Sequence, residues 1–232
     1  LFVINHPLNR GTEPEHVEVF DEVEPGRFKH RETFASPLFN SPNDMAAVGP
    51  RQFYVANDKV LQGGLAAGLQ QLGIGASPLT YFDGTAARVV TDDIASGGGM
   101  NVSADGSTLY VSETSAQRVR ILERNPADGS VKEMARIAVP TSPDNIDVAA
   151  DGSLWVTGHA NTLKLIQHFI NGSPAPTQVL RVVPDGSGGA SVEEIYLNAG
   201  DQISTGSVGV TYGKKLLIGS ITARQILVCE QT

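Results

Sequence analysis

Two neighbouring pairs of amide and carboxylate side chains, Asn43-Asp44 and Asp144-Asn145, head similar stretches in a chain of 232 residues. Each pair leads into a short apolar segment, running from Asn43 to Asn57 in one case and from Asp144 to Gly158 in the other. Oxygen donors of this type suit a hard cation such as calcium, which takes about six to eight oxygens. Asn and Asp also punctuate turns for purely local backbone reasons. A single pair is therefore turn chemistry by default, and only convergence of the two pairs would make them ligands. Two histidines, His6 in Asn5-His6-Pro7 and His159 in Gly158-His159-Ala160, each follow an apolar run. An imidazole titrates near neutrality and could act as a base beside an activated water. Turn histidines are more commonly solvated side chains, and residue pattern alone leaves both there.

Several other chemistries are excluded. There is no Gly-x-Ser-x-Gly elbow and no His-Glu-x-x-His, and Ser96-Gly97-Gly98-Gly99 lacks the Gly-Lys-Ser/Thr of a phosphate loop. Net charge is −8, so the clustered positive charge that binds nucleic acid is absent. No apolar run approaches the ~18 residues of a membrane-spanning helix. The start, Leu1-Phe2-Val3-Ile4-Asn5, reads as a strand entered midway, which is expected of a fragment or processed product. The single cysteine, Cys229, has two readings: a small buried hydrophobe, or half of a disulfide whose partner lies upstream.

The elements that must position these residues are strands. The stretch Ser41–Asp58 reads as a hairpin turning at Val48-Gly49-Pro50-Arg51, with Met45, Ala47, Phe53 and Val55 alternating as in a half-buried sheet. Related units recur at Gly99–Glu113, Asp144–Gly158 and Ser207–Gly219. Asp-Gly recurs at their turns because a tight hairpin needs the left-handed backbone angles these residues tolerate. A hairpin repeating every few tens of residues is the pattern of propeller blades, which bury both faces only by stacking around an axis. The fold class is therefore all-β, a single β-propeller domain over residues 1–232. Innermost strands line the axis of such a fold, so Asn43, Asp44, Asp144 and Asn145 should converge there. One stretch breaks the pattern: Leu61, Leu65, Leu69 and Leu72 share one side of a glycine-weakened helix, so 61–73 is either a packed insertion or a lid.

At these residues the chain resembles the paraoxonase and arylesterase family of calcium-dependent six-bladed propellers. The resemblance is carried by Leu1-Phe2-Val3-Ile4-Asn5-His6-Pro7, by Asn43-Asp44-Met45-Ala46-Ala47-Val48-Gly49-Pro50 with Phe53-Tyr54 and Asn57-Asp58, and by Met100–Gly106, Asp144-Asn145-Ile146, Leu154-Trp155-Val156 and Lys215–Gly219. It implies two calcium ions in a central tunnel. Asn43, Asp144 and Asn145 match ligands of a catalytic ion, and Asp44 matches a ligand of a structural one. His6 matches the second histidine of a His–His dyad, His159 a histidine of the active-site wall, and Ser207 a small hydroxyl residue lining the substrate pocket. Cys229 matches the C-terminal half of the family's disulfide, which would place the protein outside the cytoplasm, secreted or periplasmic.

The departures from the family pattern are also informative. Gly98 stands where the resemblance calls for another Asn ligand, leaving a water or a neighbour such as Asn101 to complete the shell. Lys59 replaces a histidine. The family's first blade and part of its second would precede Leu1, so the chain is expected to hold about four and a half blades, with raw edges that invite association. The resemblance implies a calcium-dependent hydrolase of lactones and aryl esters, in which Asp144, His6 and His159 serve catalysis. Its partner is a small-molecule lactone or ester, with peripheral lipid association allowed and no obligate protein partner. The alternative is a non-catalytic propeller, a binding or scaffold module with a degraded calcium site, which Gly98 and Lys59 favour.

Overall fold

The computed structural model describes residues 1–9, 13–58 and 75–230. The 61–73 insertion and Lys59 lie outside the described residues. Five antiparallel sheets follow one another along the chain. The first is β1 (Phe2–Asn5), β2 (His16–Glu24) and β3 (Arg27–Ala35). The second is β4 (Pro42–Ala47), β5 (Phe53–Asn57), β6 (Ser77–Phe82) and β7 (Ala87–Ile94). The third is β8 (Gly97–Val102), β9 (Thr108–Glu113), β10 (Arg118–Arg124) and β11 (Val131–Ala138). The fourth is β12 (Ser142–Val148), β13 (Leu154–His159), β14 (Thr177–Pro184) and β15 (Ala190–Asn198). The last is β16 (Gly206–Tyr212), β17 (Lys215–Ser220) and β18 (Leu227–Glu230).

This is an all-β propeller, but the blade count differs from expectation. The described residues form five sheets of three, four, four, four and three strands, rather than four and a half blades. The two short sheets differ in which strand they lack. The first has no strand inside β1, and the last has none outside β18. The six blades of the resemblance are not reached within the described residues. The repeat also omits one helix, α1 (Thr162–Asn171), capped by Asn161 Oδ1 accepting from Lys164 N at 3.0 Å and ending at Gly172 with φ 76°.

Burial shows why the sheets stack. Successive side chains of a strand point to opposite faces, and here each face meets a different neighbouring blade. Phe53 and Val55 of β5 join Val17, Val19, Phe34 and Phe82 between the first two sheets. Tyr54 and Ala56 of the same strand join Leu79, Met100, Leu109 and Val111 between the second and third. In the next strands along, Tyr110 packs with Ile146, Leu154 and Val156, and Trp155 packs with Val179, Leu216 and Ile218. The half-buried alternation expected of the Ser41–Asp58 hairpin is therefore corrected. All of β5 is buried, Ala46 is buried and Ala47 exposed, because both faces of the blade are covered. Phe53 is the hub of the first interface, with Phe2, Phe34, Phe39 and Phe82 ring centroids 5.1–5.8 Å away.

One polar cluster is buried within this apolar packing. Arg120, 1% exposed on β10, binds Asp93 Oδ1 at 2.5 Å and Oδ2 at 2.9 Å, and stands 3.3 Å from Glu133 and 3.6 Å from the buried Glu113. Glu113 is also paired with Arg118 and accepts from Ala95 N at 2.9 Å. The cluster clamps the outer strand of the second blade to the third. Without Arg120 the buried Glu113 keeps only Arg118, while Asp93 and Glu133 are about half exposed and screened by solvent. Arg120→Met should lower the unfolding free energy by about 1–2 kcal/mol in a urea titration, and Arg118→Met, at a more exposed position, should lower it by less.

Candidate functional site

The register of the blades places the candidate residues. In the four complete inner hairpins the first residue of the inner strand pairs with the last residue of the strand outside it. The pairs are Pro42 with Asn57, Gly97 with Glu113, Ser142 with His159 (followed by Pro143 with Gly158), and Gly206 with Ser220. Immediately afterwards the ladder breaks, resuming at Asp44, Met100, Ile146 and Val208. The residues skipped by these breaks are Asn43, Gly98 and Gly99, Asp144 and Asn145, and Ser207. A bulge re-aims side chains out of the sheet. All four bulges lie at one rim, because all the inner strands start there. Four expected site residues thus occupy positions that the sheet does not use.

Backbone groups at three of the four breaks, those of β8, β12 and β16, are satisfied from the adjacent blade. Asp44 Oδ2 accepts from Met100 N at 2.8 Å, and its Oδ1 accepts from Met45 N at 2.8 Å. Asn101 Nδ2 donates to Ile146 O at 3.1 Å, and its Oδ1 accepts from Val102 N at 2.8 Å. Asn101 is therefore committed to a strand contact and does not stand in for the ligand missing at Gly98. Asn145 Nδ2 donates to Ser207 O at 2.9 Å, which leaves its Oδ1 as the unengaged end of the amide. Ser207 itself is half-buried. Asn43 is exposed and takes no part in the hydrogen bonds that fix Asp44 and Asn145.

The electrostatics draw Asp44 and Asp144 together. Burial pushes the Asp44 carboxyl up to about 6, and the nearby Asp144 charge adds to the rise against the two backbone N–H groups that oppose it. Asp144 Oδ2 lies 3.7 Å from Nε2 of His159, the last residue of β13. His159 is 5% exposed rather than a solvated turn residue, and its Nδ1 has no hydrogen-bond partner among the described residues. No group of three or more His, Cys, Asp or Glu side chains placed to share an ion occurs among the described residues. The donors present are two carboxylates and amide oxygens. That hard-oxygen set, with the Asp144 charge felt at Asp44, fits a cation of the calcium type, whose charge would offset their repulsion.

Gly98 and Gly99 lie where β8 approaches β12 most closely. A β carbon on Gly99 would meet Asp144 O at 2.6 Å and Asn145 Oδ1 at 2.8 Å. At Gly98 it would meet Thr114 Oγ1 at 2.6 Å, and that hydroxyl donates to Pro143 O at 2.8 Å. Thr114 therefore fills the place of a side chain at Gly98, and the sequence alone did not single it out.

The other expected catalytic histidine, His6, follows β1 on the same rim. Its Nδ1 is 2.6 Å from Oε2 of Glu15, a residue also missed from sequence. The signal was present in the hairpin register. Asn5 pairs with His16, so the next pair outward is His6 with Glu15. Helix α1 begins three residues after His159 and carries Leu163, Ile166, Phe169 and Ile170 exposed to solvent. His168 ties the helix to the last sheet through Thr222 Oγ1 at 2.9 Å. The two described clefts lie elsewhere. One, of about 700 Å³, is lined by Trp155, Tyr196 and Cys229, and the other, of about 450 Å³, by Tyr110, Met134 and Pro184. Cys229 is half-buried with a free thiol.

Two measurements test this geometry. The raised Asp44 carboxyl contributes stability below the usual carboxylate range and loses it as pH climbs through about 6. In chelator, the stability of Asp44→Asn relative to the unaltered protein should therefore rise between pH 4 and pH 7, by at most about 3 kcal/mol, and added calcium should reverse the trend. Gly99→Ala should force β8 from β12, costing about 2 kcal/mol or more in thermal unfolding, whereas Ala at Gly152, whose β-carbon position is open, should cost only the strain of its positive φ.

Comparison with known proteins fits this geometry. A family profile described as Arylesterase matches residues 1–231. Serum paraoxonase/arylesterase 2 of Rattus norvegicus is 31% identical over 233 residues, covering 99% of this chain and 64% of that protein. Serum paraoxonase/arylesterase 1 of Homo sapiens is 31% identical with the same coverage, 99% and 64%. The chain thus spans 64% of the length of these relatives. Among solved structures, a luciferin-regenerating enzyme matches with a TM-score of 0.54 at 15% identity, over 95% of this chain and 70% of that one. Hydrazine synthase of Kuenenia stuttgartiensis matches with a TM-score of 0.54 at 14% identity, over 97% and 58%. Chemistries so different share only the propeller fold, whereas the sequence matches are specific: the chain belongs to the arylesterase family.

Proposed function

We propose that the protein containing this chain is a calcium-dependent hydrolase of lactones and aryl esters. The observation that carries the reading is the set of ladder breaks that free Asn43, Asp144 and Asn145 from strand pairing at one rim, with the Asp144 charge felt at Asp44 and His159 beside Asp144. By the family resemblance, Asn43, Asp144 and Asn145 hold the catalytic ion and Asp44 a second, structural one. A bound calcium supplies polarisation of the substrate carbonyl and counter-charge for the oxygen on which negative charge develops.

The chain's own residues do the remaining work. Asn145 is oriented by its bond to Ser207 O, so its amide oxygen is fixed rather than free to rotate. The wall formed by His159 narrows the solvent access of Asp144, which strengthens every charge interaction at the site. His6, exposed on the same rim, takes the proton of the attacking water. The apolar surface of α1 beside His159 suits an acyl chain or aryl ring, and it is also the surface through which a lipid layer would be met. The family's disulfide, through Cys229, carries the proposal of an extracytoplasmic location.

A second reading, a non-catalytic module, is favoured by one observation. Thr114 occupies the side-chain space of Gly98, so one expected donor is missing and cannot be added without displacement. Calcium titration against turnover of a phenyl ester and a δ-lactone separates the readings. Hydrolysis that disappears with chelator, returns with calcium and falls about 100-fold or more in Asp144→Asn is expected. Calcium binding without turnover would establish the module instead.

A further inference from the structure

We propose that Glu15 is the positioning residue for His6, locking the ring in the tautomer that leaves Nε2 bare to accept a proton. The inference rests on the hydrolase reading for its chemistry and on the β1–β2 hairpin for its geometry. Residues of β1 and β2 pair in fixed register, from Phe2 with Val19 to Asn5 with His16. One further step sets His6 opposite Glu15 just beyond the ladder. There the Glu15 carboxylate, 4% exposed, meets His6 Nδ1 at 2.6 Å, while the His6 side chain keeps 38% of its exposure. The buried partner is thus the carboxylate, and the accessible one is the imidazole.

Chemistry assigns the proton. An ionised carboxylate only accepts hydrogen bonds, so Nδ1 must be the donor. In the neutral ring the second nitrogen, Nε2, then has a lone pair and no hydrogen, and it lies on the ring edge away from Glu15. Which ring nitrogen carries the proton is set by the bond the other makes. A short charge-assisted bond to a nearly buried oxygen also fixes the ring plane, since the carboxylate is held by the packed start of β2. When Nε2 takes a proton from water, the imidazolium that forms stands against the Glu15 charge, and hydroxide equivalents go to the ester carbon. The balance is one proton to Nε2 and one new carbon–oxygen bond in the attack, then one ester carbon–oxygen bond broken in the collapse, with the departing alkoxide or phenoxide taking the proton back from Nε2. The sequence resemblance supplies a second histidine as partner of His6. The structure supplies a carboxylate at this place.

The test combines ring spectroscopy with kinetics. Long-range nitrogen–proton spectra at pH 8 report the tautomer of each neutral histidine, with the His6 signals assigned by their loss in His6→Asn. His6 should be protonated at Nδ1 in the unaltered protein. Glu15→Leu should move the proton toward Nε2, and Glu15→Gln, whose amide oxygen can still accept, should keep the Nδ1–H form. With phenyl acetate and δ-valerolactone as probes, Glu15→Leu should lower kcat by about 10- to 100-fold with KM within about twofold, and Glu15→Gln should recover most of it. A merely structural Glu15 would lower the melting temperature and leave tautomer and kcat of the folded fraction alone, which overturns the proposal. So does an Nε2–H ring in the unaltered protein, a reading that needs no variant to fold. If the tautomer shifts as expected but neither probe is turned over in the unaltered protein, the pairing stands and the hydrolase reading falls.

Discussion

Inner strands β4, β8, β12 and β16 break their ladders at the same rim, and the breaks in β8, β12 and β16 expose backbone groups that the neighbouring blade satisfies. That constraint organises the rest. Buried backbone polar groups rarely go unpaired, and here the partners come from side chains one blade away. Asp44 receives Met100 N, Thr114 and Asn101 reach Pro143 O and Ile146 O, and Asn145 reaches Ser207 O. Asp44 and Asn145 are therefore both candidate cation ligands and rivets between blades. Their two roles are compatible because each carboxylate or amide has more hydrogen-bonding capacity than the rivet uses.

The packing beneath this rim is of a simpler kind. Alternating side chains of each middle strand serve two different inter-blade cores, so no blade can shift without disturbing both neighbours. Protein interiors transmit such displacements because they are close-packed. Sub-ångström placement of the rim oxygens is thus inherited from aliphatic and aromatic contacts such as the ring cluster around Phe53 and the pair Tyr54–Tyr81, whose centroids are 4.7 Å apart. The opposite rim carries the Asp-Gly-Ser turns, where the Asp105 and Asp151 carboxyls are drawn down to about 2 by neighbouring serine donors. Polar chemistry at that end is consumed by turn closure, and the end with broken ladders keeps it available.

Much of this was legible in the sequence, for identifiable reasons. The four hairpins from Asn43, Gly99, Asp144 and Ser207 were readable because their apolar strands and glycine-containing turns recur at one phase, and β4–β5, β8–β9, β12–β13 and β16–β17 are those hairpins. The burial of β5 on both faces was misread because a run such as Phe53-Tyr54-Val55 alternates nothing when every residue is apolar. The expectation of four and a half blades came from the resemblance rather than from strand signals, and the eighteen strands of the described residues fall into five sheets because the first and last hold three strands each. Asp44, Asp144 and Asn145 were identifiable from type and repetition, but the burial of His159 was not, since it depends on register, which sets His159 opposite Ser142 and beside Asp144. Glu15 and Thr114 act through neighbours set by register, which residue type does not reveal.

The exchange between Gly98 and Thr114 links two positions that are sixteen residues apart in sequence and adjacent in space. A β carbon at 98 would lie 2.6 Å from the Thr114 hydroxyl, which is itself bonded to Pro143 O, and 3.3 Å from Asp144 O. Neither site is then free to drift alone: enlarging the first requires shrinking the second, and shrinking the second strands a carbonyl beside Asp144. Lineages that passed through this pair of residues would be held there by epistasis, with the path back to a larger side chain open only through a doubly altered intermediate.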